Sequence, residues 1–337
     1  MGRDRIKNAL STRKLDRPAV AAWRHFPQDD QDPRALAEST IRFQLEYDWD
    51  FVKVTPSQSY LAELWGARSV YRGDPLGIRE FVVRPVNSLG DWKEVVRASP
   101  TVALHSVSSY VEAVSRVRDG LGDEAVILAT VFSPLSIARY IAGEELFLAS
   151  VRRVPSDVQC FTDIAADVVT DVIERLVAAG ADGSFISLFS AGSSQFGEAE
   201  YRSAAEETDR RVFDAAQIGW FNIAHFHAPY PLLNVANDYR VEAVSWDCHQ
   251  GSPSVEEAGR LCPDKVLIGG IDQRGWLLTE EPTMVEERVR RLVDTTFPTE
   301  SARLIVAPGC TVSQATPQGN LRALRHGVEP REPLAPR

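Results

Sequence analysis

The 337-residue chain contains no run of about 18 apolar residues, which excludes a membrane-spanning helix. Basic residues are in deficit: 37 Lys and Arg stand against 47 Asp and Glu, giving a formal net charge of −10. No Lys/Arg-rich cluster interrupts that balance, so the electrostatic footprint of a nucleic-acid-binding protein is missing. Cysteine is sparse and unpatterned. Cys160, Cys248, Cys262 and Cys310 show no Cys-x-x-Cys spacing, which reads as free thiols in a reducing compartment rather than a disulfide framework. Met1-Gly2-Arg3-Asp4-Arg5 opens a charged amphipathic segment in place of an apolar signal core, so a cytoplasmic location is expected. No internal repeat or low-complexity tract is present.

What the chain does have is a regular alternation of short apolar runs with longer amphipathic segments, the pattern of a parallel sheet sheathed in helices. The runs are Ala19–Arg24, Phe51–Thr55, Val126–Phe132, Ser184–Phe189, Phe221–His225, Ala243–Asp247, Val266–Ile271 and Arg303–Ala307. Eight such runs predict a (β/α)8 TIM barrel. Val158–Ala179 carries a helix-period apolar stripe stopped by Gly180, and Met284–Val293 follows Pro282 as another helix. Around Gly73-Asp74-Pro75-Leu76-Gly77, residues 65–86 read as an inserted β-hairpin after the second strand, a lid or rim. Residues 1–330 are expected to form a single domain. The proline- and charge-rich residues 331–337 are expected to be a frayed tail.

In a barrel of this kind the pocket lies at the carboxyl ends of the strands, so polar residues there are the functional candidates. His225 and His227 lie two apart on the fifth run and point the same way on an extended strand. With Cys310 at the end of the eighth run they make a two-nitrogen, one-sulfur set suited to catalytic zinc with an open fourth position. The alternative is that the three are separate hydrogen-bonded pocket residues. Asp247 is a candidate general acid or base, or an orienter of a histidine, and otherwise a loop cap. Arg24 and Arg274 suit an anionic substrate group, or else pair with surface acids. His25, Lys53 and Asp272 complete the substrate-binding candidates. Whether Arg24 or its neighbour His25 faces inward depends on the register of the first strand. Cys248 and His249 follow Asp247 and can join a metal site. Cys262, His105 and His326 carry no functional pattern.

These strand ends, together with further segments, resemble the uroporphyrinogen decarboxylase superfamily. The similar pieces are Arg5–Leu10 followed by Asp16-Arg17-Pro18; Tyr47–Lys53 followed by Pro56; Phe132–Leu135 with Tyr140–Gly143; Ala178–Gly183; and Thr316-Pro317 with Asn320. The superfamily holds tetrapyrrole decarboxylases and zinc-dependent methyltransferases that move methyl groups between corrinoid proteins and thiols. Pro308-Gly309-Cys310 stands where the decarboxylases carry Gly-His-Gly, and a cysteine there resembles the methyltransferase branch. That branch has His-x-Cys on strand five, whereas this chain has His225-Phe226-His227. The resemblance implies Zn2+ at His225, His227 and Cys310, a corrinoid on a partner protein as methyl donor, and a thiol-type acceptor. Asp247 and Arg24 would serve catalysis, and a homodimer is a further expectation. A metal-independent carboxy-lyase acting on a small or aromatic acid, with Asp247 and a histidine as acid and base and Arg24 as the grip, is the rival reading. A non-catalytic binding barrel is the third.

Overall fold

The computed structural model describes residues 2–11, 13, 15–98, 100, 105–227, 229–249, 251–296 and 303–330; the tail 331–337 lies outside the described residues. Ten strands are present among them. β1 is Ala19–Val20, β2 Val52–Val54, β3 Arg68–Tyr71, β4 Arg79–Val83 and β5 Ile127–Phe132. β6 is Gly183–Leu188, β7 Ile223–Phe226, β8 Ala243–Trp246, β9 Val266–Ile271 and β10 Leu304–Pro308. Eight of them form one parallel sheet in the order β1-β10-β9-β8-β7-β6-β5-β2. The Asp50 amide donates to Val20 O at 2.9 Å, bringing the two edge strands together and closing the (β/α)8 barrel. Almost every residue of these eight strands is buried, which is why the runs read as continuous apolar stretches rather than alternating ones. No helix among the described residues is long and apolar enough to cross a membrane.

The observed strands match the eight runs to within two or three residues at either end, except the first. There only Ala19 and Val20 pair with β10 as a strand, because the Trp23 carbonyl is taken by the Val312 amide from the closing loop. The long apolar stripe forms the helix Pro155–Ala178, which Gly180 leaves with φ +106°. The inserted hairpin is real: β3 and β4 pair antiparallel.

The hairpin is pinned across the carboxyl mouth of the barrel. Pro75 O accepts from Gln314 N at 2.7 Å and Ser313 Oγ at 3.1 Å, both on the loop after β10. Arg79 forms a buried ion pair with Asp30 at 2.6 Å and donates to Pro27 O at 2.7 Å. Gly77, at φ +79°, lies so close to the first-strand loop that a Cβ there would fall 2.5 Å from the His25 Cβ. Only glycine meets both demands.

The opposite face of the barrel is held by two buried carboxylates. Asp50 accepts from Arg5, Arg17 and the Val20 amide. Asp182 accepts from Arg3, Arg118, the Trp220 indole and the Ile127 amide.

A third acid, Asp209, is enclosed in the helical layer. It accepts from Tyr201 Oη at 2.6 Å and Tyr239 Oη at 3.4 Å, and its Oδ1 is buried without a partner. Burial raises its pKa from 3.8 to about 7, against the lowering effect of the two tyrosines. The unfolded chain ionises this group near pH 4 while the folded chain keeps it protonated until about 7, so its contribution to stability falls as pH rises through that window. Asp209→Asn is therefore expected to match the parent near pH 4 and exceed it by ~2–4 kcal/mol near pH 8. Urea melts at the two pH values check this, and equal pH dependence in both proteins would refute it.

Candidate active site

His225 is the penultimate residue of β7 and is only 3 % exposed. Its Nδ1 lies 3.2 Å from Ser245 Oγ on β8, and its ring packs on Phe185 at 4.8 Å between centroids. The other ring nitrogen is thereby left for the cavity. His227 follows two residues later, with its amide on Leu188 O and its ring stacked on Phe189 at 4.2 Å. The two imidazoles are 5.7 Å apart, centroid to centroid, and Cys310, two residues past β10, lines the same two cavities and interacts electrostatically with both. Parity on β7 and the closing turn after β10 thus bring all three sequence-derived ligand candidates together.

Their electrostatics are coupled. Burial opposes ionisation of Cys310, yet the His227 and His225 imidazoles overcome it and hold the thiol well below its ordinary pKa. Burial likewise opposes charge on His227, but the sulfur across from it leaves its pKa raised. His225, for which burial wins, has its pKa lowered. The shifts run toward charge on the sulfur and on His227 and away from charge on His225.

Two small cavities share these three residues. The inner one, about 50 Å³, lies under the hairpin and is lined also by Trp23, His25, Lys53, Gln58, Ile78 and Phe185. Among the described residues no Asp or Glu lines it. Lys53 reaches it from β2, donates to Thr55 Oγ1 at 3.2 Å and stands 4.6 Å over the Phe185 ring. Among the described residues it has no ion pair, and burial lowers its pKa to about 7. The outer cavity, about 150 Å³, is lined by Asp247, His249 and Arg274 in addition to the shared trio. It shares Ser252 with an open cleft of about 590 Å³ running past Tyr230, Pro253 and Arg260.

Two candidates lie elsewhere. Arg24 is turned away from both cavities: its guanidinium sits over the Phe26 and Phe43 rings, 5.2 and 5.3 Å from their centroids, against the helix Pro33–Tyr47. Trp23 and His25 face inward instead, so the alternation at the first strand favours His25, whose Nδ1 is buried without a partner. Asp272 caps a turn, accepting from the amides of Arg274 and Gly275 at 3.2 and 2.8 Å, and lines neither cavity. Arg274 reaches the outer cavity from an exposed position. Residues outside any sequence pattern also line the inner cavity, notably Gln58 and Ile78; the hairpin motif was the available signal for Ile78.

Sequence and fold comparisons follow this geometry. A family model described as uroporphyrinogen decarboxylase (URO-D) matches residues 3–329. The chain belongs to the uroporphyrinogen decarboxylase family. Within reach of this family member are two curated relatives, the methylcobamide:CoM methyltransferases MtbA of Methanosarcina acetivorans and Methanosarcina mazei. Each is 21% identical, over 96% of this chain and 96% of its own. Among solved structures, a methyltransferase from Methanosarcina mazei superposes with a TM-score of 0.81 at 16% identity, covering 97% of both chains. A B12-independent methionine synthase from a Shewanella species gives 0.57 at 13% identity over 88% of this chain and 86% of its own. These likenesses fix the fold of this uroporphyrinogen decarboxylase family protein.

Whether the trio suits a metal is a matter of donor chemistry. Among the described residues no three His, Cys, Asp or Glu side chains stand at the mutual spacing of a finished metal cage. The donor types nevertheless fit zinc: a thiol whose pKa the two imidazoles lower, an imidazole held against Ser245 whose charging burial opposes, and a second imidazole facing the sulfur. Metal binding there would release a proton from the site.

Proposed function

We propose that this protein is a zinc-dependent methyltransferase, passing a methyl group between a corrinoid on a partner protein and a small thiol. The observation that carries the reading is the meeting of Cys310, His225 and His227 at the barrel mouth, where the two imidazoles lower the pKa of the thiol. The names of the curated relatives support the donor and acceptor classes. His225, His227 and Cys310 would hold the zinc, which supplies Lewis acidity that keeps an acceptor thiol ionised at neutral pH. Residues 3–329, the span of the family match, act in this reading as one domain.

The chain's own groups do the rest. Ser245 fixes the direction of the His225 ring. Phe185 and Phe189 wall the site with apolar surface, and the hairpin closes the inner cavity from above, so the inner side of the Cys310 sulfur is shielded from water. Lys53 offers an unpaired cation to an anionic end of the acceptor, in a cavity without competing carboxylates. Arg274 provides a second positive charge at the rim of the outer cavity. Asp247 orients the outer wall. The carboxy-lyase reading relied on Arg24 as its grip, and Arg24 is turned away from both cavities.

Purified protein loaded with zinc and given methylcobalamin with small thiols is expected to demethylate the corrinoid in a thiol-dependent way. Zinc-loaded protein that forms no thioether with any thiol offered defeats the proposal. Lys53→Met is expected to raise KM for an anionic thiol by ~10–100-fold with a smaller change in kcat, and to leave KM for a neutral thiol unaffected. Because the free amine titrates near 7, binding of the anionic thiol should strengthen as pH falls through that value.

A further inference from the structure

The three strand ends that form the outer wall are joined by one side chain. Gln273, just past β9 and 1 % exposed, donates from Nε2 to Asp247 Oδ2 at 2.8 Å. Its Oε1 accepts from the Gly309 amide at 2.9 Å. Only this orientation of the carboxamide satisfies a carboxylate on one side and an N–H on the other. The second Asp247 oxygen accepts from the His249 amide at 3.1 Å, so both carboxylate oxygens are engaged. Gly309 itself is pressed onto Asp247: a Cβ would fall 2.4 Å from the Asp247 Cα and 3.0 Å from Trp246 O. Cys310 is the next residue. Its strand end has no freedom to slide along β8 while the amide bridge and the glycine contact both hold.

We propose that Gln273 is a positioning residue that sets the Cys310 sulfur against His225 and His227 by tying the Gly309 amide to the Asp247 carboxylate. This deepens the functional reading above and rests on it for the identity of the metal, but the bridge is a property of the chain. Asp247 accordingly works as the anchor of a strut. Gln273 never touches substrate and acts only through Cys310.

The test is a polarity swap. Gln273→Glu keeps the acceptor for Gly309 but sets a carboxylate against Asp247. It is expected to weaken binding of Co2+, used for its thiolate-to-metal charge-transfer band, by ~10–100-fold, the range found for losing an outer partner of a metal site. Asp247→Asn combined with Gln273→Glu restores one donor and one acceptor with their sense reversed. That double variant should recover Co2+ affinity and band position to near the parent. A lost core contact would not be repaired by adding a second substitution, so rescue separates positioning from general damage. A metal-free arm measures alkylation of Cys310 by iodoacetamide in chelator, with exposed Cys160 as internal standard. The single variant should change the Cys310 rate several-fold and the double should restore it. Unchanged alkylation and Co2+ binding in Gln273→Glu, or a double variant no better than the single, overturns the proposal. A parent protein that binds no Co2+ sinks the functional reading instead, and the alkylation arm still decides on Gln273.

Discussion

Cys310→Ala is expected to purify without zinc and to lose thiol methylation by at least ~10³-fold, the scale of removing a metal or activated nucleophile from its site. Cys310 is the one donor of the trio able to bring negative charge to zinc, and its sulfur raises the His227 pKa. Without it, two neutral imidazoles remain, a pair that binds divalent zinc weakly. The fold should be preserved, because the side chain faces cavities rather than core and is half-buried. Cys310→Ser serves as the volume-matched control, and its hydroxyl, not ionised at neutral pH, should bind no better. Metal content by mass spectrometry on both variants and the parent, with methylcobalamin demethylation alongside, decides the matter. A variant that keeps stoichiometric zinc removes Cys310 from the ligand set. A fully active variant without zinc removes the metal from the reaction.

The barrel was legible because its strands are buried on both faces, which turns each into an uninterrupted apolar run of distinctive length. The convergence of His225, His227 and Cys310 was legible for a similar reason: two-residue parity on β7 is rigid, and both β7 and β10 end at the same mouth. Register was open at the first strand, where only two residues pair and the chain then follows the Val312 contact. Of the two neighbours offered as substrate-binding residues, His25 faces the cavity and Arg24 faces away. Asp272 was misread for want of attention to Gly275: an Asp three residues before a glycine is a turn cap before it is a ligand. Gln273 was invisible because a carboxamide bridging residues 26 and 36 positions away leaves no periodic trace. Several segments that carry the family resemblance owe their residues to architecture rather than chemistry. Arg5, Arg17 and Asp50 meet at the end of the barrel away from the mouth, and Asp182 gathers Arg3, Arg118 and Trp220 there. Such long-range pairing cannot be read from one sequence.

That far end gives the largest expected loss of stability. Asp50 is 3 % exposed and pairs with Arg17, itself 4 % exposed, at 2.7 Å, with Arg5 on its other oxygen and the Val20 amide at 2.8 Å. These bonds stand at the junction of β1 and β2, where the Asp50 amide to Val20 O closes the barrel. Asp50→Asn keeps the shape and removes the charge. It also turns an amide nitrogen toward donors, leaving one buried guanidinium contact unpaired. Arg5 retains Asp16 and Arg17 retains Glu329, but both acids are largely solvent-exposed and screen poorly for the loss. Breaking a buried pair from one side typically costs ~3–5 kcal/mol, and the same is expected here, with a fall in melting temperature of about 5–10 °C. Asp48→Asn is the contrasting control: Asp48 is 81% exposed in its pair with Arg325, and exposed pairs contribute ~0–1 kcal/mol. Urea unfolding of both variants in chelator separates the two cases. If Asp50→Asn lies within about 1 kcal/mol of the parent, the closure of the barrel does not depend on this carboxylate, and the Asp50 amide with the apolar packing of β1 suffices.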